Sequence, residues 1–161
     1  KAKVYGAMKS RLPAVYERYK CSVVAVQEVP REETARYGVI AAQPIDERIY
    51  RVTGFVEKPR PAEAPSNLGI VGRYILTPEI FDILEKMPPG QNGEILLADA
   101  LHQLLERQAI YGYRFEGTRY DTGNKLGYLK ATVEYALKRP DLGEEFLAYL
   151  RGLDLGEAKK G

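Results

Sequence analysis

The sequence predicts an α/β protein, part of a three-layer sandwich in which helices cover both faces of a mixed sheet. A run from Val23 to Val26, continued by Val29, has the apolar character of a strand that is buried on both faces. Apolar residues at helical spacing stand before this run and after later strand-like runs. Strands that alternate with amphipathic helices are typical of a sheet that carries helices on its faces.

An amphipathic helix is predicted ahead of this first strand, with its apolar stripe facing the sheet. We expect the helix to begin between Ser10 and Leu12, because Pro13 is tolerated in a helix only near the first turn. The residues of the stripe are Met8, Leu12, Val15, Tyr16 and Tyr19.

The middle of the chain has the pattern of a β-hairpin followed by a further strand. Polar residues 46–48 separate the strand-like runs 39–45 and 49–56, as residues of a hairpin connection do. After a loop that contains three prolines, the run 68–76 is the next predicted strand.

The rest of the chain is predicted to alternate between helix and strand. Thr77 and Pro78, a capping residue and a first-turn proline, mark the start of a helix that ends before residues 87–90. We expect residues 1–161 to form a single domain, which is long enough to bury a sizeable core. The remaining predicted elements are a helix over 94–108, a strand over 110–115, helices over 125–139 and 141–151, and a flexible tail over 153–161.

The composition is that of an ordinary soluble globular protein, with 45% hydrophobic and 29% charged residues. Lys and Arg number 24 against 22 Asp and Glu, a net charge of +2 that gives no basis for a nucleic-acid surface. No apolar run approaches the roughly 20 residues that a membrane span needs. The single cysteine, Cys21, has no partner for an internal disulfide, so we expect a buried thiol and a cytoplasmic protein. Because the chain begins with Lys1 rather than Met, we also expect it to be a fragment.

Glu57, Lys58 and Pro59 stand where a predicted strand enters the proline-containing loop. The proline is expected to hold Lys58 in an extended conformation, and the end of a strand is a good place to present side chains. By themselves these charges are typical of a solvated loop. Gly38 at the head of another strand is similarly typical of a turn, although a glycine there also permits close approach to the backbone. His102 has no metal-binding partner at a suitable spacing, so we place it on a helix surface.

Four motifs in order give these residues a context: RYGVI, VEKP followed by SNLGIVGRYIL, GEILLADAL, and YDTGNKLGYLKATVEYA. Together they resemble the bacterial UTP-glucose-1-phosphate uridylyltransferases, within the wider family of sugar-phosphate nucleotidyltransferases. The similarity runs from about Ser22 to Leu150, which in that family is the carboxy-terminal half. The resemblance implies a Rossmann-like nucleotide-diphospho-sugar transferase fold, with the active-site cleft along strand ends.

The resemblance also implies roles for individual residues. Lys58 would hold the phosphate of glucose 1-phosphate and of the product UDP-glucose, as a catalytic and substrate-binding residue. Glu57 would accept hydrogen bonds from hexose hydroxyls. The backbones of Gly38 and Ile70 would help to form the sugar pocket. Asp121, which in isolation is typical of a turn or helix cap, would bind magnesium together with an aspartate from the other half.

The glycine-rich loop that grips the triphosphate and the segments that recognise uracil belong, in the family, to the half that precedes this chain. We find no comparable loop here, and we therefore expect the chain alone to form little or no UDP-glucose from UTP and glucose 1-phosphate. Members of the family are usually homo-oligomers, so the resemblance also implies a homo-oligomer.

Two alternatives remain open at this point. One is a sibling enzyme, a thymidylyl- or adenylyltransferase, although the motifs resemble the uridylyl branch more closely. The other is a non-catalytic regulatory or assembly module that retains the fold, because apolar helices such as 94–108 suit a subunit interface as well as a core.

Overall fold

The computed structural model describes residues 2–90, 93–154 and 156, with side chains from residue 11 onward. The chain divides into two compact units, Lys1–Gly117 and Thr118–Gly161, which we call unit 1 and unit 2 and describe separately. Because each unit is described by itself, the expectation that residues 1–161 form a single domain is not tested and stays a prediction. Of the predicted flexible tail over 153–161, residues 155 and 157–161 lie outside the described residues.

The described elements follow the predicted order of helices and strands. Unit 1 contains α1 (Ala2–Tyr19), β1 (Ser22–Glu28), a 3-10 helix (Arg31–Arg36), β2 (Gly38–Pro44), β3 (Ile49–Glu57), β4 (Leu68–Ile75), α2 (Glu79–Lys86), α3 (Leu97–Arg107) and β5 (Ile110–Arg114). Unit 2 contains α4 (Lys125–Leu137) and α5 (Gly143–Arg151).

The five strands form one mixed sheet in the order β1, β4, β2, β3, β5, which confirms the predicted sheet type. β5 runs parallel to β1, and the other pairs are antiparallel. The sheet also closes on itself, because β5 pairs with β3 on its other side. Closure was not predicted, since it depends on pairing between strands that are far apart in sequence.

β1 is buried on both faces, as its valines predict, and it separates two hydrophobic clusters. Val24 and Val26 face the cluster that contains α2 and α3, with Ile80, Ile83, Leu101 and Leu104. Val23 and Ala25 face the cluster that contains α1, with Leu12 and Val15. The side chains of a strand alternate between faces, so helices cover the two sides of β1 and form the outer layers of the sandwich.

The structure differs from the sequence prediction in α1, in α3 and at Cys21, among other places. α1 begins at Ala2 instead of between residues 10 and 12, so Pro13 lies inside the helix. Leu12 and Val15, on either side of Pro13, are 4% and 5% exposed, and their burial offsets the hydrogen bond that the proline removes. α3 begins at Leu97 rather than at residue 94. Cys21 is partly exposed rather than buried.

The described part of unit 2 contains two short helices, α4 and α5. The Asn124 side chain caps α4, accepting hydrogen bonds from the backbone of Leu126 (2.9 Å) and Gly127 (3.2 Å). In the described part of this unit only Ala131 and Gly143 are buried. Among all the described helices, none combines the length and the apolar character needed to cross a membrane. His102 is exposed on α3, as expected.

Candidate functional site

The start of β2 and the end of β3 meet at one end of the sheet. Their antiparallel register places Gly38 opposite Glu57. The backbone amide of Lys58 then donates a hydrogen bond to the carbonyl of Tyr37 (3.0 Å), which continues the pairing for one more residue. Lys58 is therefore fixed to the sheet by its backbone although it has left the strand.

Gly38 lies beneath two of the other predicted site residues. A Cβ atom at this position would stand 3.0 Å from Oε2 of Glu57 and 3.4 Å from Cδ1 of Ile70. The glycine permits this close approach, because a methyl group here would require the end of the Glu57 side chain to move slightly. Of the two roles that a glycine could have at this strand head, the structure selects the packing role.

Glu57 lies between Gly38 and Lys58. One carboxylate oxygen faces Gly38, while the other is 3.4 Å from the Lys58 ammonium. The side chain of Lys58 is 64% exposed and that of Glu57 is 41% exposed, so this ion pair contributes little to stability. Both side chains are exposed enough to reach a ligand at the sheet end.

The backbone of Lys58 contradicts the extended conformation predicted from Pro59. Lys58 has φ +47°, in the left-handed region that non-glycine residues adopt at an energetic cost. Two hydrogen-bonded contacts hold the surrounding backbone. The Lys58 amide is bonded to Tyr37, and the hydroxyl of buried Thr34 lies 3.3 Å from the carbonyl oxygen of Pro59. These tertiary contacts override the local preference of a residue that precedes proline.

The loop that follows is also tied to unit 1. Arg31 donates a hydrogen bond to the carbonyl of Ala64 (2.8 Å), and the Ser66 hydroxyl donates to the carbonyl of Ile40 (2.6 Å). The Arg60 guanidinium binds the Glu63 carboxylate at 2.6 Å. The loop that begins directly after Lys58 is therefore anchored to the rest of unit 1.

Tyr74 is a residue near the candidate site that sequence reasoning did not single out. It is half-buried on β4, and burial together with the negative charge of Glu57 raises the pKa of its hydroxyl. A signal was present in the sequence, because Gly72 inside a predicted strand indicates a bulge that can redirect neighbouring side chains.

Asp121 belongs to unit 2 and is described with that unit alone. Its Oδ1 accepts a hydrogen bond from the Gly123 amide (3.1 Å), and its carbonyl accepts one from Asn124 (3.3 Å). A Cβ at Gly127 would overlap the Asp121 carbonyl, so the glycine lets the first turn of α4 pack against this residue. The turn that leads into α4 thereby fixes the orientation of Asp121.

A magnesium ion needs only one or two protein carboxylates when phosphates and water supply its other ligands. Asp121, as one carboxylate on a fixed turn, fits a site of this kind. Within the residues that the structure describes, no group of three or more His, Cys, Asp and Glu residues could form a complete metal site. Among the predicted site residues, Asp121 is the candidate for a single carboxylate ligand of a metal ion.

The structure thus brings together Gly38, Glu57, Lys58 and Ile70 at one end of the sheet in unit 1. The cluster combines an ammonium group, an acceptor carboxylate and close backbone packing. An ammonium attracts phosphate, and a carboxylate accepts hydrogen bonds from hydroxyl groups. This combination suits a phosphorylated, hydroxyl-bearing ligand.

Comparison with known proteins relates the chain to enzymes that act on nucleotides and sugar phosphates. Residues 8–138 match the family model described as "Nucleotidyl transferase". The chain is 50% identical over 145 residues to the UTP--glucose-1-phosphate uridylyltransferase of Staphylococcus epidermidis, an alignment that covers 90% of this chain and 50% of that protein.

Two solved structures resemble it as well. A UDP-glucose pyrophosphorylase crystallised with UDP-glucose has a TM-score of 0.75 and 46% identity, over 80% of this chain and 49% of that one. The UTP-bound UGPase from Acinetobacter baumannii has a TM-score of 0.81 and 36% identity, over 90% and 50%. The chain spans about half the length of these relatives.

Proposed function

The chain belongs to the nucleotidyl transferase family, and from that membership we propose that it is the carboxy-terminal half of a UTP-glucose-1-phosphate uridylyltransferase. The observation that carries the proposal is the convergence of Gly38, Glu57, Lys58 and Ile70 at the sheet end. The intact protein would form UDP-glucose and pyrophosphate from UTP and glucose 1-phosphate. This half would supply the sugar-phosphate side of the site.

The reaction joins two anionic molecules. A phosphate oxygen of glucose 1-phosphate attacks the α-phosphorus of UTP in line, the new phosphorus–oxygen bond forms, and pyrophosphate leaves with the electrons of the bond that breaks. The protein has little covalent chemistry to perform. Positioning and neutralisation of charge therefore carry the rate.

Lys58 is suited to neutralisation of charge. Its ammonium is exposed at the sheet end, while its backbone is anchored by the bond to Tyr37. We assign it to the phosphate of glucose 1-phosphate, which must approach a second polyanion. The left-handed backbone sets the direction in which the Lys58 side chain leaves the end of β3.

Glu57, Gly38 and Ile70 are assigned to the sugar. The Glu57 carboxylate would accept hydrogen bonds from hexose hydroxyls and so orient the ring. Gly38 leaves room for that carboxylate, and Ile70 closes the side of the pocket where its Cδ1 approaches the glycine.

Asp121 would be one carboxylate ligand of magnesium, shared with the half that this chain does not contain. When bound, the ion would neutralise phosphate charge. We further propose that the intact protein is cytoplasmic and homo-oligomeric, which rests on the family resemblance and on the single cysteine.

The proposal is tested by measuring pyrophosphate release by the intact protein. UTP with glucose 1-phosphate and magnesium is expected to support turnover, dTTP and ATP to support little, and EDTA to stop the reaction. The 161-residue chain alone is expected to show little or no turnover.

Three outcomes would contradict the proposal. A preference for dTTP or ATP would identify a sibling enzyme. Absence of turnover with every nucleotide would favour a regulatory or assembly module. Turnover by the isolated chain at the rate of the intact protein would show that the other half is dispensable.

A further inference from the structure

The chain that leads into α4 is attached to that helix at two points. The carbonyl of Asp121 packs against Gly127 so closely that a Cβ atom there would overlap it. The hydroxyl of Tyr120, the preceding residue, donates a hydrogen bond to the carboxylate of Glu134. Two neighbouring residues of the chain are therefore attached to two different turns of the helix.

The two attachment points lie on the same face of α4. Gly127 and Glu134 are seven residues apart, which is close to two full turns, or about 10 Å along the helix axis. Ala131, which is 7% exposed, lies between them on that face. A single attachment would allow the chain before α4 to rotate about it, whereas two attachments this far apart fix its orientation.

The acceptor of the hydrogen bond from Tyr120 is an ionised carboxylate. The hydrogen bond from Tyr120, and after it the one from Lys138, lowers the pKa of Glu134, so this group carries its charge at neutral pH. The Lys138 ammonium lies 3.1 Å from the same carboxylate. A hydrogen bond to an ionised acceptor is stronger than one between neutral groups.

The ring of Tyr120 is held at the same place as its hydroxyl. Tyr120 is half-buried, and its ring packs edge-on against Tyr135, with centroids 5.8 Å apart and planes at 61°. The first turn of α4 is already capped by the side chain of Asn124. The contact of Tyr120 with Glu134 therefore acts on the residues that precede the cap, and Asp121 is the residue between them.

We propose that Tyr120 and Glu134 are positioning residues for Asp121, and that their hydrogen bond holds the Asp121 carboxylate in the direction from which it binds a divalent cation. The inference rests on the proposed function, in which Asp121 supplies one ligand of the ion. Magnesium demands near-ideal octahedral geometry and takes few protein ligands, so a rotation of one carboxylate weakens its binding. Tyr120 and Glu134 act through Asp121 and are not assigned as ligands.

The first test measures metal binding without turnover. Mn²⁺, which takes the same oxygen ligands as Mg²⁺, is titrated into the intact protein saturated with UDP-glucose, and electron paramagnetic resonance reports the free ion. Tyr120→Phe removes the hydroxyl and keeps the ring, and we expect it to weaken Mn²⁺ binding about 5-fold, against about 50-fold for Asp121→Asn. Tyr135→Phe, the matched control, removes a hydroxyl from the neighbouring ring and should leave the affinity unchanged.

The second test asks whether Tyr120 acts through Glu134. Glu134→Ala removes the acceptor and should weaken Mn²⁺ binding as much as Tyr120→Phe does, and the double variant should lose no more than either single variant. Glu134→Gln retains an acceptor oxygen, so it should keep most of the affinity. Lys138→Ala removes only the other partner of Glu134 and should leave the affinity unchanged.

The third test separates positioning from a general structural role. In uridylyl transfer by the intact protein, Tyr120→Phe should raise the concentration of Mg²⁺ needed for half-maximal rate by about the same 5-fold and leave the KM for glucose 1-phosphate unchanged. Because the hydrogen bond is exposed on the Glu134 side, Tm should shift by less than about 2 °C.

The inference is overturned if Tyr120→Phe binds Mn²⁺ as tightly as Tyr135→Phe does, or if the losses of Tyr120→Phe and Glu134→Ala add in the double variant. An equal rise in the requirement for Mg²⁺ and for glucose 1-phosphate would also overturn it, since that indicates a structural role. Unchanged Mn²⁺ binding by Asp121→Asn would remove Asp121 from the metal site, and the inference with it, while turnover by the unsubstituted protein would still support the proposed function. If the unsubstituted protein forms no UDP-glucose, the proposed function itself fails, and this inference fails with it.

Discussion

Lys20 and Lys58 share an unusual set of properties but lie in different surroundings. Both have a left-handed backbone, with φ +53° and +47°, and the side chain of each is 64% exposed. Each ammonium pairs with a nearby glutamate, Glu17 for Lys20 and Glu57 for Lys58. Backbone strain, exposure and ion pairing therefore do not distinguish the two lysines.

The neighbours of the two residues do distinguish them. The Lys20 amide donates to the carbonyl of Tyr16 (2.6 Å), where α1 ends, so its left-handed conformation closes a helix. The Lys58 amide donates across the sheet to Tyr37, and its glutamate partner lies over Gly38. The two lysines therefore differ in what holds the left-handed backbone: the end of a helix at Lys20, and contacts across the sheet at Lys58.

The largest difference in activity between the two lysines is expected when each ammonium group is removed. Lys58→Ala in the intact protein is expected to lower kcat/KM for uridylyl transfer by about 100-fold or more, because a positioned cation is lost from a reaction between polyanions. Lys20→Ala, the matched control, should leave the rate within about twofold. The measurement is pyrophosphate release at varied glucose 1-phosphate. Similar activities for the two variants would place Lys58 outside the site.

Removal of the partner charges should have a smaller effect. Glu57→Gln keeps the shape of the side chain but exchanges an acceptor-only group for an amide, and we expect kcat/KM to fall about 10-fold, mainly through KM for glucose 1-phosphate. Glu17→Gln should change neither constant. If Glu57→Gln lowered the affinity for UTP instead, the assignment of Glu57 to the sugar would be wrong.

The comparison also explains which parts of the fold could be predicted from the sequence. β1 was predictable because its valines report burial on both faces, and the structure buries Val23 to Val26 completely. The start of α1 was not, because local rules place Pro13 in the first turn, whereas burial of Leu12 and Val15 sustains the helix around it. Closure of the sheet depends on pairing of β3 with β5, a long-range contact that no local pattern encodes.

The candidate site, like the fold, could be predicted from the sequence only in part. Glu57, Lys58 and Gly38 were predicted as site residues from the family resemblance that short motifs carry, because by themselves the charges are typical of a solvated loop and the glycine of a turn. The conformation of Lys58 was predicted wrongly, since a hydrogen bond to Tyr37 overrides the influence of Pro59. The assignment of Asp121 to magnesium stays a prediction.

The smallest expected effect concerns stability, and here the two lysines should behave alike. Lys20→Gly and Lys58→Gly each remove the steric cost of a left-handed side chain, which exceeds the entropy that glycine loses on folding, so Tm should rise by about 1–4 °C in each case. The exposed ion pairs that are lost should matter little. Differential scanning calorimetry of the intact protein measures both changes. Only Lys58→Gly should also lose uridylyl transfer, because glycine lacks the ammonium group that we assign to the phosphate of glucose 1-phosphate. A fall in Tm for Lys58→Gly alone would mean that the Lys58 side chain stabilises the sheet end, and its conformation would then need no functional explanation.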